Sequence, residues 1–284
     1  MYNIIMREKE VVFKVSNDYN KRSLMEYFFR FKINKTYINQ LINSKKIFIN
    51  DTVVKNGSVE IVRNDIIKVI VPVEDIQPYK YDVSVIYEDD WIMVVKKPAR
   101  MLVHSDGQTN ETLTSAVSYY FLKKKEVCSA YPIHRLDYET TGIVIFAKNK
   151  FSLAYLSVAI ENHELEKEYV CLCSGKFSKV KGVIALPIGK DRHSNKQIVV
   201  STGKEAKSRY EVIKNGEKSK VKVVIDHGRK HQIRVHLSHI NHPIVGDKLY
   251  RRDAEGDLML HFRRVAFIHP YTQKRVEFIC EEEF

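Results

Sequence analysis

Cysteine is scarce in this sequence of 284 residues. The four cysteines, Cys128, Cys171, Cys173 and Cys280, are too few and too unevenly spaced for the disulfide framework of a small secreted protein. They form no CxxC pair, so the usual spacing of a structural zinc site is missing as well. Because Cys171 and Cys173 are two residues apart, we expect them to share one face of a strand.

Long hydrophobic runs are also missing. No stretch of about 18 apolar residues occurs, and the first residues, MYNIIMREKE, lack the apolar segment of a signal peptide. We therefore expect a cytoplasmic protein without a membrane partner. No GxxxxGK[ST] loop is present either, so the sequence predicts no nucleotide cofactor.

Positive charge, in contrast, is abundant. The chain has 47 Lys and Arg residues against 35 Asp and Glu residues, a formal net charge of +12. Such an excess favours a polyanionic partner, with nucleic acid first and an anionic membrane second. Lysine that merely decorates a solvated surface is the alternative. The apolar fraction of 44% is sufficient for a real core.

The first part of the chain, between Lys21 and Val71, has the pattern of two helices followed by a hairpin. The helical spacing is carried by Tyr37, Ile38, Leu41 and Ile42. Ile47 and Ile49 alternate as in a strand, and Asn50-Asp51 forms the predicted turn. We assign a small domain to residues 13–74 and a charged, proline-containing linker to residues 75–82.

The second part, residues 83–284, contains many short apolar runs separated by Gly, Asn, Asp and Pro. This pattern predicts an α+β domain built on a mainly antiparallel, mixed sheet. Three segments have helical spacing: TLTSAVSYYFLKKK, SLAYLSVAIENHEL and KHQIRVHLSHI, in the last of which Ile233, Leu237 and Ile240 share a face.

Ionisable residues gather in one loop of the second domain. His134, Arg135 and Asp137 lie directly before an apolar run, residues 143–146, that is typical of a buried strand. A carboxylate held on such a rigid element can serve catalysis, and a neighbouring arginine can engage phosphate. From these residue types alone, an ordinary structural Arg-Asp pair remains the alternative.

The residues of this loop, HRLDYETTGIVIFAKN, resemble the catalytic signature of the RluA-type pseudouridine synthases. Further segments resemble the same family in the same order, and together they cover residues 83 to 280. They are YEDDWIMVVKKPARMLVH, EKEYVCLCSG, ALPIGKDRHSNKQIV, GRKHQIRVHLSHINHPIVGDKLY and LHFRRVAFIHPYTQKRVEF. The preceding helix-helix-hairpin module resembles an S4-type RNA-binding domain.

The resemblance implies an enzyme that isomerises uridines within structured RNA without a cofactor. It assigns the catalytic carboxylate to Asp137, base stacking and help in removing the C5 proton to Tyr169, and the cation that keeps Asp137 ionised to Arg234. Whether Asp137 adds covalently or abstracts a ribose proton to form a glycal stays open. Contacts with the RNA are assigned to three residues, Arg135, Arg229 and His231.

Several positions depart from the family patterns. Asn34-Lys35-Thr36 replaces the serine-arginine start of the second S4 helix, and Asn50-Asp51 replaces an Asn-Gly turn. Thr141 stands where serine is common, and Arg100 and Arg251 stand where glycine is expected. We expect the two arginines to change loop shape or to add phosphate contacts.

Two other functions compete with this hypothesis. His227 and His231 have the i, i+4 spacing of a metal-binding helix, but Gly228 lies between them and no HExxH occurs, so we expect no metal. A non-catalytic S4-type RNA-binding protein is the second alternative. For an enzyme, the S4-like module favours ribosomal RNA, while transfer RNA remains open, and we expect a monomer.

Overall fold

The computed structural model describes residues 7–192, 194 and 196–284. Its N-terminal unit consists of six strands and two α-helices: β1 (Glu8–Lys14), β2 (Arg22–Ser23), α1 (Leu24–Phe29), α2 (Lys35–Asn43), β3 (Ile47–Ile49), β4 (Thr52–Val53), β5 (Glu60–Ile61) and β6 (Ile66–Pro72). Four of these strands form a sheet in the order β1-β6-β3-β4, and β2 pairs separately with β5.

The predicted helices and hairpin of this unit are present. The side chain of Asn34 accepts a hydrogen bond from the amide of Thr36 at 2.7 Å and so begins α2, although the serine-arginine pair is absent. Asn50 and Asp51 connect β3 to β4 with φ values of 47° and 63°. A two-residue turn with both φ values positive matches the twist of a hairpin, and Asn and Asp tolerate that conformation.

The N-terminal sheet begins earlier than the predicted boundary at residue 13. Strand β1 starts at Glu8 and pairs antiparallel along its whole length with β6, from Glu8 opposite Pro72 to Lys14 opposite Ile66. The boundary at 13 would therefore cut through this strand. Buried and exposed positions alternate at its end, where Val11 and Phe13 point into the core and Val12 between them is exposed.

The larger unit has, in its described residues, twelve strands and three helices: β7 (Ser84–Glu88), β8 (Ile92–Lys97), α3 (Leu113–Lys123), β9 (Tyr131–Pro132), β10 (Thr141–Ala147), α4 (Lys150–Glu161), β11 (Glu166–Ser174), β12 (Lys181–Ala185), β13 (Ile188–Lys190), β14 (Gln197–Val199), β15 (Lys207–Lys214), β16 (Lys218–Ile225), α5 (Gln232–His239), β17 (Leu260–Ile268) and β18 (Arg275–Ile279).

Ten of these strands form one sheet, with β12-β15-β16-β11-β17-β10-β8-β7 as its main path, β18 beside β17 and β9 beside β10. Strands β10 and β17 run parallel, and the other paired strands of this sheet run antiparallel. The prediction of an α+β fold with a mainly antiparallel, mixed sheet is confirmed. Cys171 and Cys173 share one face of β11, with their Sγ atoms 3.6 Å apart.

The three predicted helices correspond to α3, α4 and α5. Helix α5 begins at Gln232, two residues later than the segment KHQIRVHLSHI suggested, because His231 has a left-handed φ of 56°. Ile233 and Leu237 are buried on one face, as the spacing predicts. No helix in the described residues is long and apolar enough to cross a bilayer.

Aromatic side chains join the two units. The ring of Trp91 lies parallel to Phe31 at 5.7 Å and to Tyr271 at 4.4 Å. Phe13 contacts Trp91 edge-on at 5.1 Å and Phe151 at 5.0 Å. Residues 75–82, the predicted linker, contain no helix or strand. The N-terminal unit is thus packed on the larger one through a shared apolar core.

Candidate active site

Asp137 lies in the loop that joins β9 to β10. Six consecutive residues of β10, 142–147, are buried, and the amide of Thr140 donates to the carbonyl of Asp137 at 3.1 Å. Gly142 has φ 114°, and a Cβ there would collide with the backbone of Phe262, its neighbour on the parallel strand β17. The carboxylate therefore projects from a short turn on a rigid strand.

Lys97 supports the backbone directly after Asp137, a role that sequence reasoning did not assign. Its buried ammonium donates to the carbonyls of Pro98 at 2.8 Å, Met101 at 2.7 Å and Tyr138 at 3.1 Å. Burial lowers the pKa of Lys97 to about 7, although the negative charge of Asp137 acts to raise it. Three carbonyl acceptors match the three donors of the protonated amine and tie two loops together.

Arg234, on α5, is the cation beside Asp137. Its side chain is 4% exposed, and Nη1 lies 3.5 Å from Oδ2 of Asp137. Burial lowers the pKa of Arg234, but the hydrogen bonds and charge of Asp247, followed by the charge of Asp137, outweigh burial and raise it. The alternative of a surface helix arginine is therefore wrong, because this side chain is buried between two acidic residues.

Asp247 was missed in the sequence and is the main partner of Arg234. Its fully buried carboxylate accepts from Nε of Arg234 at 2.8 Å and from Nη2 at 2.7 Å. It also accepts from the amides of Leu249 and Tyr250 at 3.2 Å each. A bidentate pair fixes the plane of a guanidinium, so Asp247 sets how Arg234 faces Asp137.

Tyr169 lies on β11 next to this group. Its ring stacks on Phe262 with centroids 4.5 Å apart and an interplanar angle of 10°. One face of the ring is therefore covered, while the hydroxyl has no hydrogen-bond partner among the described residues. Burial, helped by the negative charge of Asp137, raises the pKa of Tyr169.

His231 lies inside the site beside the carboxylate of Asp137, and not on the outer surface of the protein. Its Nε2 is 3.8 Å from Oδ2 of Asp137, and its Nδ1 is 3.0 Å from the hydroxyl of Tyr250. Burial lowers the pKa of His231, although Asp137 opposes this. Its left-handed φ of 56° directly before α5 fixes where its ring leaves the backbone.

Two arginines lie at the rim. Arg135 is exposed and makes no ion pair with any described residue, so the alternative of a simple pair with Asp137 is not seen. Nε of Arg229 donates to the carbonyl of Glu205 at 2.9 Å. One cavity of about 180 Å³ is lined by all six predicted site residues: Arg135, Asp137, Tyr169, Arg229, His231 and Arg234.

The two arginines at expected glycine positions are engaged within the protein. Arg100 has φ 59°, the left-handed conformation that glycine would adopt, and pairs with Asp257. Arg251 donates to both carboxylate oxygens of Asp253 at 2.9 Å and to the hydroxyl of Ser174 at 2.6 Å. Any phosphate contact by these arginines would have to compete with these bonds.

The histidines considered for a metal site have other contacts. His227 and His231 precede α5, so they do not share a helical turn. The ring of His227 lies against His163 at 4.5 Å. Within the described ranges, no group of three or more His, Cys, Asp or Glu side chains is arranged to hold a metal ion.

Comparison with known proteins adds independent information. Residues 91–239 match the sequence profile of the family described as RNA pseudouridylate synthase. An uncharacterized RNA pseudouridine synthase of Bacillus subtilis, YhcT, is 33% identical over 203 residues, which cover 69% of this chain and 67% of that protein. Ribosomal large subunit pseudouridine synthase D of Vibrio cholerae is 31% identical over 257 residues, 82% of this chain and 78% of that protein.

Solved structures agree at the level of the fold. The human protein RNA pseudouridylate synthase domain containing 1 superimposes with a TM-score of 0.61 at 24% identity, covering 74% of this chain and 86% of that one. The human protein RNA pseudouridylate synthase domain containing 4 gives a TM-score of 0.58 at 22% identity, covering 70% and 88%.

Proposed function

The chain belongs to the RluA-type branch of the RNA pseudouridylate synthase family, enzymes that isomerise uridine to pseudouridine, and we propose that Asp137 is its catalytic carboxylate and ribosomal RNA its substrate. The observation that carries the assignment of Asp137 is the 3.5 Å contact between its carboxylate and the buried side chain of Arg234. Loss of Arg234 would remove the arginine partner of the carboxylate, whereas loss of Asp137 would leave Arg234 paired with Asp247 alone.

The reaction breaks the bond between uracil N1 and ribose C1′ and forms a bond between C5 and C1′. The hydrogen on C5 is lost, and N1 takes up a proton, so no electrons enter or leave. An ionised carboxylate can attack C1′ or remove a proton from the ribose, and Asp137 is suited to both routes. Arg234 places a positive charge 3.5 Å from that carboxylate, and Asp247 holds Arg234 in place.

Tyr169 is assigned to the base. Its ring lines the cavity and can stack on uracil, held in place by its contact with Phe262. The raised pKa keeps its hydroxyl protonated. A role in removing the C5 proton therefore requires the hydroxyl to pass on its own proton at the same time.

The rim residues are assigned to the RNA backbone. A paired uridine must leave its stack to reach Asp137, at a cost of a few kcal/mol. Arg135, exposed and unpaired among the described residues, can hold a neighbouring phosphate or fill the vacated space. Arg229 and His231 line the same cavity and offer further contacts.

The N-terminal unit is assigned to RNA binding as an S4-like domain. Exposed lysines surround α2, with Lys32 before it, Lys35 at its first position and Lys45 after it, and none makes an ion pair with a described residue. This basic surface supports phosphate contacts. Ribosomal RNA is favoured because the Vibrio cholerae relative carries a ribosomal name.

The test uses RNA labelled with tritium at uracil C5, taken from cells that lack the protein. We expect the purified enzyme to release tritium from the ribosomal RNA fraction and not from transfer RNA. Release from transfer RNA alone would refute the proposed substrate while leaving the reaction intact. No release from either fraction would refute both.

A further inference from the structure

A second cavity lies against the active-site cavity. It has a volume of about 500 Å³, within the range of about 300–1,000 Å³ typical of ligand pockets. Tyr169, Arg135 and Arg229 line both cavities. Whatever fills this side pocket therefore lies next to the base that Asp137 would act on.

Much of the wall of the side pocket is apolar or aromatic, and Glu161 and His163 add polar groups to it. Ile133, Ile160 and Leu165 contribute aliphatic surface, and Phe262 contributes the ring on which Tyr169 stacks. The ring of His134 meets Phe262 edge-on at 5.5 Å. Burial, and then the charge of Lys167, lower the pKa of His134 to about 4, so its ring is neutral at pH 7. Such walls suit the faces of a nucleobase.

One amine in the side pocket has unused hydrogen-bonding capacity. Lys167 lies on β11 two residues before Tyr169, and its ammonium contacts the carbonyl of Asp226 at 3.5 Å. The carboxylate of Asp226 is taken by Arg209 instead, through bonds of 2.8 and 2.5 Å. Lys167 makes no ion pair with any described residue. A half-buried ammonium with free donors can bind a ligand that carries hydrogen-bond acceptors.

We propose that the side pocket binds the base of a nucleotide adjacent to the target uridine, with Lys167 donating a hydrogen bond to an acceptor on that base. This inference rests on the proposed function, since the neighbour is defined by the uridine at Asp137. The phosphate between the two nucleotides passes the shared rim, where Arg135 and Arg229 can hold it. The side pocket thereby helps to choose which uridine is modified.

The test first maps the modified uridine by sequencing and then uses synthetic RNA fragments that contain it. Each flanking nucleotide is either natural or abasic, and kcat/KM is measured by tritium release. We expect an abasic site on one flank to lower kcat/KM of the wild type by about 10-fold, the scale of one lost base contact. Lys167→Met should cause a similar loss on natural RNA and little further loss on the abasic RNA.

Two variants serve as controls. Lys167→Arg keeps the charge and the donors and should recover most of the activity on natural RNA. Lys218→Met removes the same charge from the exposed start of β16 and should behave like the wild type. Thermal melting of each variant checks that it is folded, and the abasic arm needs no variant at all.

Three outcomes would overturn the inference. If an abasic site on either flank leaves kcat/KM of an active wild type unchanged, the side pocket holds no neighbouring base. Equal losses by Lys167→Met on natural and abasic RNA would assign Lys167 to general charge or stability instead. A wild type that releases no tritium from any RNA would refute the proposed function itself, and with it the neighbour that the side pocket is meant to hold.

Discussion

Substitution of Asp247 by Asn tests the arrangement around Arg234. The change keeps the size of the side chain but removes the charge that faces Nε and Nη2 of Arg234 at 2.8 and 2.7 Å. Because both side chains are buried, at 4% and 0% exposure, removal of one partner should destabilise the protein by about 3–5 kcal/mol. For a chain of this size that loss corresponds to a fall of roughly 10 °C in Tm.

Activity should fall as well. Without its bidentate partner, the guanidinium is free to rotate away from Asp137, and a misplacement of about 1 Å can cost on the order of 100-fold in rate. We expect Asp247→Asn to lower kcat by about that factor with KM nearly unchanged, measured by tritium release at a temperature where the variant is folded. A larger KM at constant kcat would indicate a role in RNA binding instead.

The matched control is Asp253→Asn. Asp253 forms the same kind of bidentate pair with Arg251, but at 72% and 39% exposure, so its loss should change the stability far less than the loss of Asp247. In an Arg234→Met background, Asp247→Asn should add little further destabilisation, because the carboxylate then has no cation to hold. Equal effects of Asp247→Asn in both backgrounds, or an effect no larger than that of Asp253→Asn, would refute the reasoning.

Three further predictions follow from other parts of the structure. Replacement of Lys32, Lys35 and Lys45 by Gln should reduce the slope of log affinity for RNA against log salt by about 2, and an unchanged slope would exclude these lysines from phosphate contacts. The pKa of His134 is lowered to about 4 in the folded protein, so the unfolded chain binds this proton at a higher pH. Stability should therefore fall by up to about 3 kcal/mol as the pH drops from about 6.5 to 4. His134→Gln should remove this part of the pH dependence, as measured by urea titrations. Gly142→Ala should destabilise the protein by at least about 2 kcal/mol in the same titrations, because a Cβ at φ 114° meets the backbone of Phe262, whereas Gly107→Ala, where a Cβ meets nothing within 4 Å, should cost less.

Local patterns were sufficient for much of the fold. Alternation and turn residues predicted the hairpin at Asn50-Asp51, and helical spacing located α5 to within two residues. Strand β1 was left out, because its apolar run Val11-Val12-Phe13 shows no alternation and its partner residues on β6 are 52 to 64 positions away in the sequence. The start of α5 could not be predicted, since nothing in the sequence marks His231 as left-handed.

The site required more than local pattern. Arg234 is 97 residues from Asp137, and only the resemblance to a family brought the two together before the fold was known. Asp247 was quoted within GRKHQIRVHLSHINHPIVGDKLY but received no role, because an acidic residue in a loop has no periodicity that points to a buried arginine. Lys97 was missed for a similar reason, since its three acceptors are backbone carbonyls.

The central claim is that the carboxylate of Asp137 performs the chemistry. The direct test is tritium release from C5-labelled ribosomal RNA by Asp137→Asn. Asp82→Asn is the control, because it removes the same charge from an exposed pair with Lys123. We predict no detectable release by Asp137→Asn despite retained RNA binding and folding, and wild-type release by Asp82→Asn. Turnover by Asp137→Asn at a rate near that of the wild type would contradict the account.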